Sequence, residues 1–326
     1  MAPLTRAIRV ARKADSTDAS PLFSGHVDAD WVFGQVPNGG YTLSLLVQAC
    51  VQNQANSEYP DPLQVSAFFL QPTKTSSTVE VQLRVLKCGR SFINLAADLV
   101  FANRVCITAH LIFGKLPRPS RPLVDPSSGY SRRHPLLEHP SAAVVTSMPG
   151  VFSFSKHVRW AEDQNIIALN HADHPTRNAL TGGGVAVWGA WIELGDKDDR
   201  ITPASLVFFA DCVNNLATLF PHSVTGAIQE TLWLPTLSLA LEYKTPIPPP
   251  SSMHASRTIG VYIVSGFPSE PQMRFNTFVE MWTAPSNIGE GAPVEGWRDG
   301  QVCLAIATQT QLIGNGSMNA KAAAKL

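Results

Sequence analysis

Charge is scarce in this chain. Lys, Arg, Asp and Glu together make 15% of its 326 residues, and they cancel to a formal net charge of zero. Without a basic excess there is no long-range electrostatic grip on nucleic acid or an anionic membrane. Cysteine is sparse and unpaired in pattern. Cys50, Cys88, Cys106, Cys212 and Cys303 are odd in number and far apart, with no Cys-x-x-Cys and no zinc spacing. A disulfide framework is not indicated, and free thiols suit a reducing compartment. No uncharged apolar run reaches the roughly 18 residues of a membrane span. The start, Met1 to Arg6, lacks the apolar stretch of a secretory signal. A Gly-x-Ser-x-Gly elbow is missing, which argues against a serine hydrolase of that fold. Thr181-Gly182-Gly183-Gly184 has no lysine and no helical pattern after it, so it is not a phosphate loop. The nine histidines form no His-x-x-x-His pattern. His171 and His174, in a loop-like segment, come nearest to a metal pair, and neither a metal nor a cofactor is expected.

What is present is apolar residue, 44% of the chain, in alternating and helical runs. The length suits about two domains. Residues 1 to 24 read as an arm or first strand. Phe33 to Gly40 is rich in breakers and ends in Asn38-Gly39-Gly40. Tyr41 to Val51 is apolar nearly all round, the mark of a helix inside a core. Leu63–Leu70, Thr78–Leu86, Ser91–Phe101 and Val105–Phe113 then alternate between short turns, as antiparallel strands do. Pro117, Pro119, Pro122, Pro126, Pro135 and Pro140 mark residues 117–145 as a linker.

The second half repeats this plan. Ala186–Leu194 reads as a strand. Thr202-Pro203 is an N-cap followed by proline at the first helical position. It opens a second apolar helix over Ala204–Phe220. Strand-like runs follow at Leu232–Tyr243, Arg257–Ser265, Met273–Trp282 and Val302–Ile313. Leu63–Pro72 and Leu237–Pro246 are apolar strands closing on proline at the same offset after each helix, which marks an internal repeat. A helix wrapped by an antiparallel sheet buries both apolar faces. Two such units, side by side, cover one sheet edge of each.

Several segments resemble the acyl-CoA thioesterase II-like family. Phe33-Gly34 through Gly39-Gly40 and the helix after it look like the start of that family's first unit. Phe69-Leu70-Gln71-Pro72 resembles its Phe-Leu-Arg-Pro strand end, and Gly89-Arg90-Ser91-Phe92 its turn between two strands. Ala210-Asp211, Thr236 to Tyr243 and Asp299-Gly300 to Gln309 resemble the elements that carry its aspartate, threonine and glutamine. The resemblance covers roughly residues 25–116 and 200–313. It implies an α+β class and a double hotdog fold. The units would be residues 1–116 and 146–316, with the linker at 117–145 and a tail at 317–326. Ser238-Leu239 stand where the family often has Asp-His after the threonine, and the last strand offers both Gln309 and Gln311.

The implied reaction is hydrolysis of an acyl-CoA thioester. A carboxylate can accept a proton from water, and threonine and glutamine can hold that water without covalent chemistry. By resemblance these are Asp211, Thr236 and Gln309. Alone, Asp211 with Asn214, Asn215 and Thr218 at helical spacing reads as a solvated polar stripe. Asn38, Gly39 and Gly40 have two readings, a backbone that lets a thioester approach closely or a turn into the helix. Arg90 beside Ser91 and Phe92 meets a CoA phosphate in one reading and solvent in the other. Two further functions stay open: a hydratase, cyclase or similar enzyme acting on a non-CoA apolar substrate, and a non-catalytic acyl-binding protein. The latter predicts Asp211, Thr236 and Gln309 too far apart to share a water. A fused double unit is compatible with a monomer or a homo-oligomer.

The chain ends Ala324-Lys325-Leu326 after a small, polar stretch. This resembles the Ser-Lys-Leu address, which predicts a peroxisomal import receptor as partner and peroxisomal rather than cytoplasmic residence.

Overall fold

The strand runs and helices form in the order that the alternation suggests. The computed structural model describes residues 2–117, 128–171, 173–175, 185–214, 219, 232–268 and 273–315. In the first half, α1 (Leu4–Ala7), β1 (Val10–Arg12) and β2 (Leu22–Val27) precede a small hairpin, β3 (Val32–Phe33) and β4 (Val36–Pro37). Then come α2 (Gly39–Gln54), β5 (Asp61–Phe69), β6 (Ser77–Cys88), β7 (Ile93–Phe101) and β8 (Arg104–Gly114). The second half holds β9 (Val158–Glu162), α3 (Gln164–Ala168), β10 (Val185–Leu194), α4 (Pro203–Asp211), β11 (Leu232–Trp233) and β12 (Thr236–Tyr243). It continues with β13 (Thr258–Gly266), β14 (Arg274–Thr283), β15 (Cys303–Leu312) and β16 (Gly314–Asn315).

Twelve strands make one sheet, in the order β1-β2-β6-β7-β8-β5-β12-β15-β14-β13-β10-β9. The two repeat strands, β5 and β12, pair antiparallel with Ala67 opposite Leu239 and Val65 opposite Leu241. This seam closes one edge of each unit, as the repeat predicts. The result is the double hotdog, a sheet wrapped round α2 and α4.

Both helices are buried on nearly all sides, which accounts for their apolar composition. At the start of α2 the Asn38 side chain accepts the Tyr41 N–H at 2.8 Å. At the start of α4, Thr202 and Ser205 bond reciprocally in a capping box and Pro203 pre-sets the first turn.

Three expectations change and one unexpected contact is added. The second helix does not run from Ala204 to Phe220. It ends at Asp211, because Cys212 leaves helical geometry at φ −95° and ψ 74°. Asn214 turns away and donates to Glu162 Oε1 at 2.8 Å, while Asn215, Thr218 and Phe220 lie outside the described residues. The run Leu232–Tyr243 is split, because Pro235 has no N–H for the ladder and sits between β11 and β12. The proline-rich 117–145 segment is not a free linker over its described part. His134 and Leu136 are fully buried, and Arg132 forms an ion pair with Glu280 on β14 at 2.7 Å. This segment is a strap across β10, β13 and β14, held where Gly189 and Gly260 leave room for Leu136 and His134. Finally, the first residues tie the halves together. The Leu4 and Thr5 N–H groups at the start of α1 donate to the Asp199 carboxylate at 3.1 and 3.0 Å.

Residues 118–127, Thr181–Gly184 and the tail 317–326 with Ala324-Lys325-Leu326 lie outside the described residues.

Candidate active site

The last residue of α4 meets the first turn of α2. Asp211 Oδ2 accepts the Gly40 N–H at 2.8 Å and the Asn38 Nδ2 at 3.2 Å. Its other oxygen, Oδ1, accepts the Thr236 hydroxyl at 2.9 Å and the Gln309 Nε2 at 3.2 Å. Gln309 is anchored by a second donation to the Ala210 carbonyl at 2.9 Å. Burial pushes the Asp211 carboxyl above its usual range, and the donors from Gly40, Thr236, Asn38 and Gln309 pull the other way without cancelling it. Of the three residues expected to share a water, Thr236 and Gln309 are therefore each within hydrogen-bond reach of Asp211. That removes the geometry expected of a non-catalytic binder.

The glycines serve this contact. A Cβ at Gly40 would lie 2.6 Å from Asp211 Cβ and 2.8 Å from the Val207 carbonyl oxygen. Only glycine lets the start of α2 come this close to α4. What the missing side chain at Gly40 makes room for is Asp211 and the Val207–Phe208 backbone, which neither reading of the sequence named.

A β-bulge aims Thr236. The β12–β15 register shifts between Thr236 and Ser238, with Leu239 opposite Gln309 and Thr236 opposite Gln311. Plain alternation would put Leu237 on the Leu239 face. The bulge instead leaves Leu237 36% exposed and turns Thr236 toward Asp211. On β15, Thr308 faces out while Gln309 and Gln311 share the buried face. Both glutamines are used: Gln309 reaches Asp211, and Gln311 Nε2 donates to Thr236 Oγ1 at 3.3 Å.

A cavity of about 400 Å³ opens beside the carboxylate. Asn38, Gly39, Asp211, Thr236 and Gln311 line its polar end, and Phe33, Val36, Phe69, Ile107, Phe152 and Phe275 are among its apolar walls. It also takes in Thr277 and Ser265, which the sequence did not single out. Their only advance signal was polarity at positions whose strand neighbours are apolar.

Arg90, Ser91 and Phe92 do not line this cavity. Their turn closes through Gly89 N–H to the Phe92 carbonyl at 2.9 Å, and the Tyr59 hydroxyl donates to the Gly89 carbonyl at 2.5 Å. Tyr59 follows the C-terminal end of α2, whereas Asp211 meets its N-terminal end. Sixteen helical residues, about 24 Å of rise, separate the two ends. Sequence order alone could not say which end of the helix the turn would reach. Among the described residues no group of three His, Cys, Asp or Glu side chains is placed to hold a metal, and no helix is long and apolar enough to cross a membrane.

The site is confined to one of the two helix ends. Asp211 lies nine positions after the cap Thr202, and the position nine after Asn38 is Val47, which is fully buried. Gln309 stands opposite Leu239, and the equivalent pair across β5 and β8 is Val65 opposite Leu111. The pseudo-equivalent location is thus ordinary apolar core.

Residues 27–114 match the family model of the acyl-CoA thioesterase N-terminal domain. The chain is similar in structure to a protein of Thermobifida fusca assigned as a thioesterase II, at 18% identity and a TM-score of 0.68, covering 97% of this chain and 98% of the other. It is similar to a hotdog-fold protein of unknown function from Alicyclobacillus acidocaldarius, at 15% identity and a TM-score of 0.66, covering 95% and 97%. An acyl-CoA thioesterase II of Mycobacterium marinum aligns at 12% identity and a TM-score of 0.60, covering 97% and 99%. No curated protein matches. The chain therefore has the double hotdog fold, and residues 27–114 of it match an acyl-CoA thioesterase N-terminal domain.

Proposed function

We propose that the protein hydrolyses an acyl-CoA thioester to the free acid and CoA. The observation that carries this reading is the convergence of Asn38, Gly40, Thr236 and Gln309 on the raised-pKa carboxylate of Asp211 at the polar end of an apolar cavity. The apolar walls suit an acyl chain, and the polar end suits a thioester and a water.

In this mechanism a water replaces one of the two longer donations to Asp211, those at 3.2 Å from Asn38 and Gln309. A carboxylate has about four lone-pair sites, and all four are taken in the resting site. The water oxygen attacks the thioester carbonyl carbon while Asp211 takes its proton. Gly39 stands at the first helical position of α2, where the N–H has no intrahelical acceptor and the helix dipole favours negative charge. That N–H, at the cavity wall, is the donor for the developing oxyanion. When the C–S bond breaks, Asp211 returns the proton to the leaving CoA sulfur. Thr236 and Gln309 orient the water and the carboxylate and are not themselves consumed.

The test is release of free thiol from a panel of acyl-CoAs by the wild type and by Asp211→Asn. The expected loss is ~10²–10⁴-fold in kcat, the usual contribution of a positioned base. Undiminished turnover in the variant would remove Asp211 from the mechanism. We also propose peroxisomal delivery through Ala324-Lys325-Leu326. A chain lacking these three residues should stay in the cytosol, and unchanged peroxisomal residence would exclude that signal.

A further inference from the structure

The second-half sheet carries a buried polar row that the fold does not require. Gln309, Thr277 and Ser265 stand directly opposite one another on β15, β14 and β13. The equivalent row in the first half is Leu111, Leu95 and Val85 on β8, β7 and β6. Gln311, opposite Phe275, likewise corresponds to Phe113, opposite Ile93. Where one unit is apolar, the other places amides and hydroxyls. Gln311, Thr277 and Ser265 are 6%, 2% and 5% exposed, yet all three reach the cavity wall.

Their hydrogen bonds run in one direction. The Thr277 hydroxyl donates to Gln311 Oε1 at 3.4 Å. Its proton being so placed, the 3.1 Å contact with Ser265 makes the serine the donor. Gln311 Nε2 gives one N–H to Thr236. Among the described residues its second N–H meets no acceptor, and Ser265 Oγ keeps open lone pairs. The row therefore offers a donor and an acceptor into a cavity that is otherwise largely apolar. Polar groups left facing a dry apolar chain would lose their hydration without a partner to replace it.

The geometry points to a specificity subsite for an acyl chain that bears an oxygen, as hydroxyl or ketone, near its thioester end. A ketone or hydroxyl oxygen accepts the free Gln311 N–H, and a hydroxyl also donates to Ser265 Oγ. The position follows from the chain of contacts: Gln311 is one hydrogen bond from Thr236, which is one hydrogen bond from Asp211. This reading rests on the proposed hydrolysis for where the thioester lies, but ligand binding tests it separately. A site built to bond a substrate oxygen discriminates strongly against the analogue that lacks it.

The experiment compares β-hydroxyacyl-CoA and β-ketoacyl-CoA with the saturated acyl-CoA of the same length. Wild-type kcat/KM should favour at least one oxygenated substrate by about tenfold or more, the ratio set by one hydrogen bond of ordinary strength. Thr277→Val should erase most of that preference, and Ser265→Ala most of any preference for the hydroxy substrate, while each changes turnover of the saturated substrate by less than about threefold. Thr277→Ser, which keeps the hydroxyl, should retain it. Equal rates on both substrate types in the wild type, or equal losses on both in the variants, would overturn the subsite. The matched free acids are also titrated in a thermal-shift assay, which needs no turnover. Selective stabilisation by the hydroxy or keto acid without any CoA release would sustain the subsite and sink the hydrolysis. CoA release with no selectivity in either assay would do the reverse.

Discussion

The Gly40 N–H donates to Asp211 Oδ2 at 2.8 Å, joining the first turn of one hotdog helix to the last residue of the other. Two residues 171 positions apart in sequence thus define one site. The contact needs the absence of a side chain at position 40.

Gly40→Ala tests that need. Its Cβ would press on Asp211 and on the Val207 backbone, neither of which is a flexible side-chain end. Overpacking of this kind costs about 1–3 kcal/mol. Thermal unfolding should show Tm lower by at least ~2 °C, and CoA release should fall as Asp211 is displaced. Gly39→Ala is the control for thermal unfolding alone, since its nearest new contacts, at 3.2 Å, are with side-chain ends, the Asp211 carboxylate and the Phe69 ring edge. If Gly40→Ala unfolds and turns over like the wild type, the close approach is not what the glycine provides.

Asp211 should work against stability at neutral pH. Its folded carboxyl is raised above the reference value of 3.8, mainly by burial. For an acid so shifted, the unfolded chain ionises first. Stability is then greatest below 3.8 and is lost as pH rises through the folded value. Asp211→Asn cannot titrate there, so the wild type should lose stability relative to the variant as pH is raised across that window. The acid limb of the wild-type pH–rate profile should also lie above the ordinary carboxylate range. A limb within that range would mean that burial does not control the group.

His134 should make the strap acid-sensitive. The ring stacks on Trp191 with centroids 4.8 Å apart and also meets Trp282 and Trp297. Nδ1 accepts the Leu136 N–H at 3.2 Å, which keeps the neutral ring protonated on Nε2. Burial, with the Arg298 guanidinium nearby, pushes its pKa down from 6.5 to about 3. A histidine lowered in this way contributes its stability fully above pH 6.5 and loses it as pH falls toward 3. Tm measured from pH 7 downward should drop more steeply for the wild type than for His134→Phe. Parallel curves would show that the ring is free to charge without leaving its site.

The sequence by itself determined the architecture. Strand alternation, two helices apolar on every side and two strands ending in Pro72 and Pro246 point to two sheet-wrapped helices side by side, because each of these patterns is a local consequence of which faces must be buried, while the β5–β12 seam itself is a matter of tertiary pairing. The aspartate, threonine and glutamine were singled out by the resemblance of their segments to known elements, since each alone is an ordinary residue. Only the tertiary structure decided how they meet. The Asp211 carboxylate takes donors from Gly40, Thr236 and Gln309, which are distant in sequence. Thr236 rather than Leu237 faces the site because of a bulge against β15, which no period-two pattern reveals. Gln309 and Gln311 share one face, so parity could not separate them, and their different partners did. Arg90 went to the far end of α2, because the reach of a turn is fixed by packing along a helix axis and not by distance in sequence. Thr277 and Ser265 became part of the cavity through strand register alone. A site made of contacts across the repeat is a property of the assembled sheet, and that is why Asp211 has four partners here and its counterpart Val47 lies in plain apolar core.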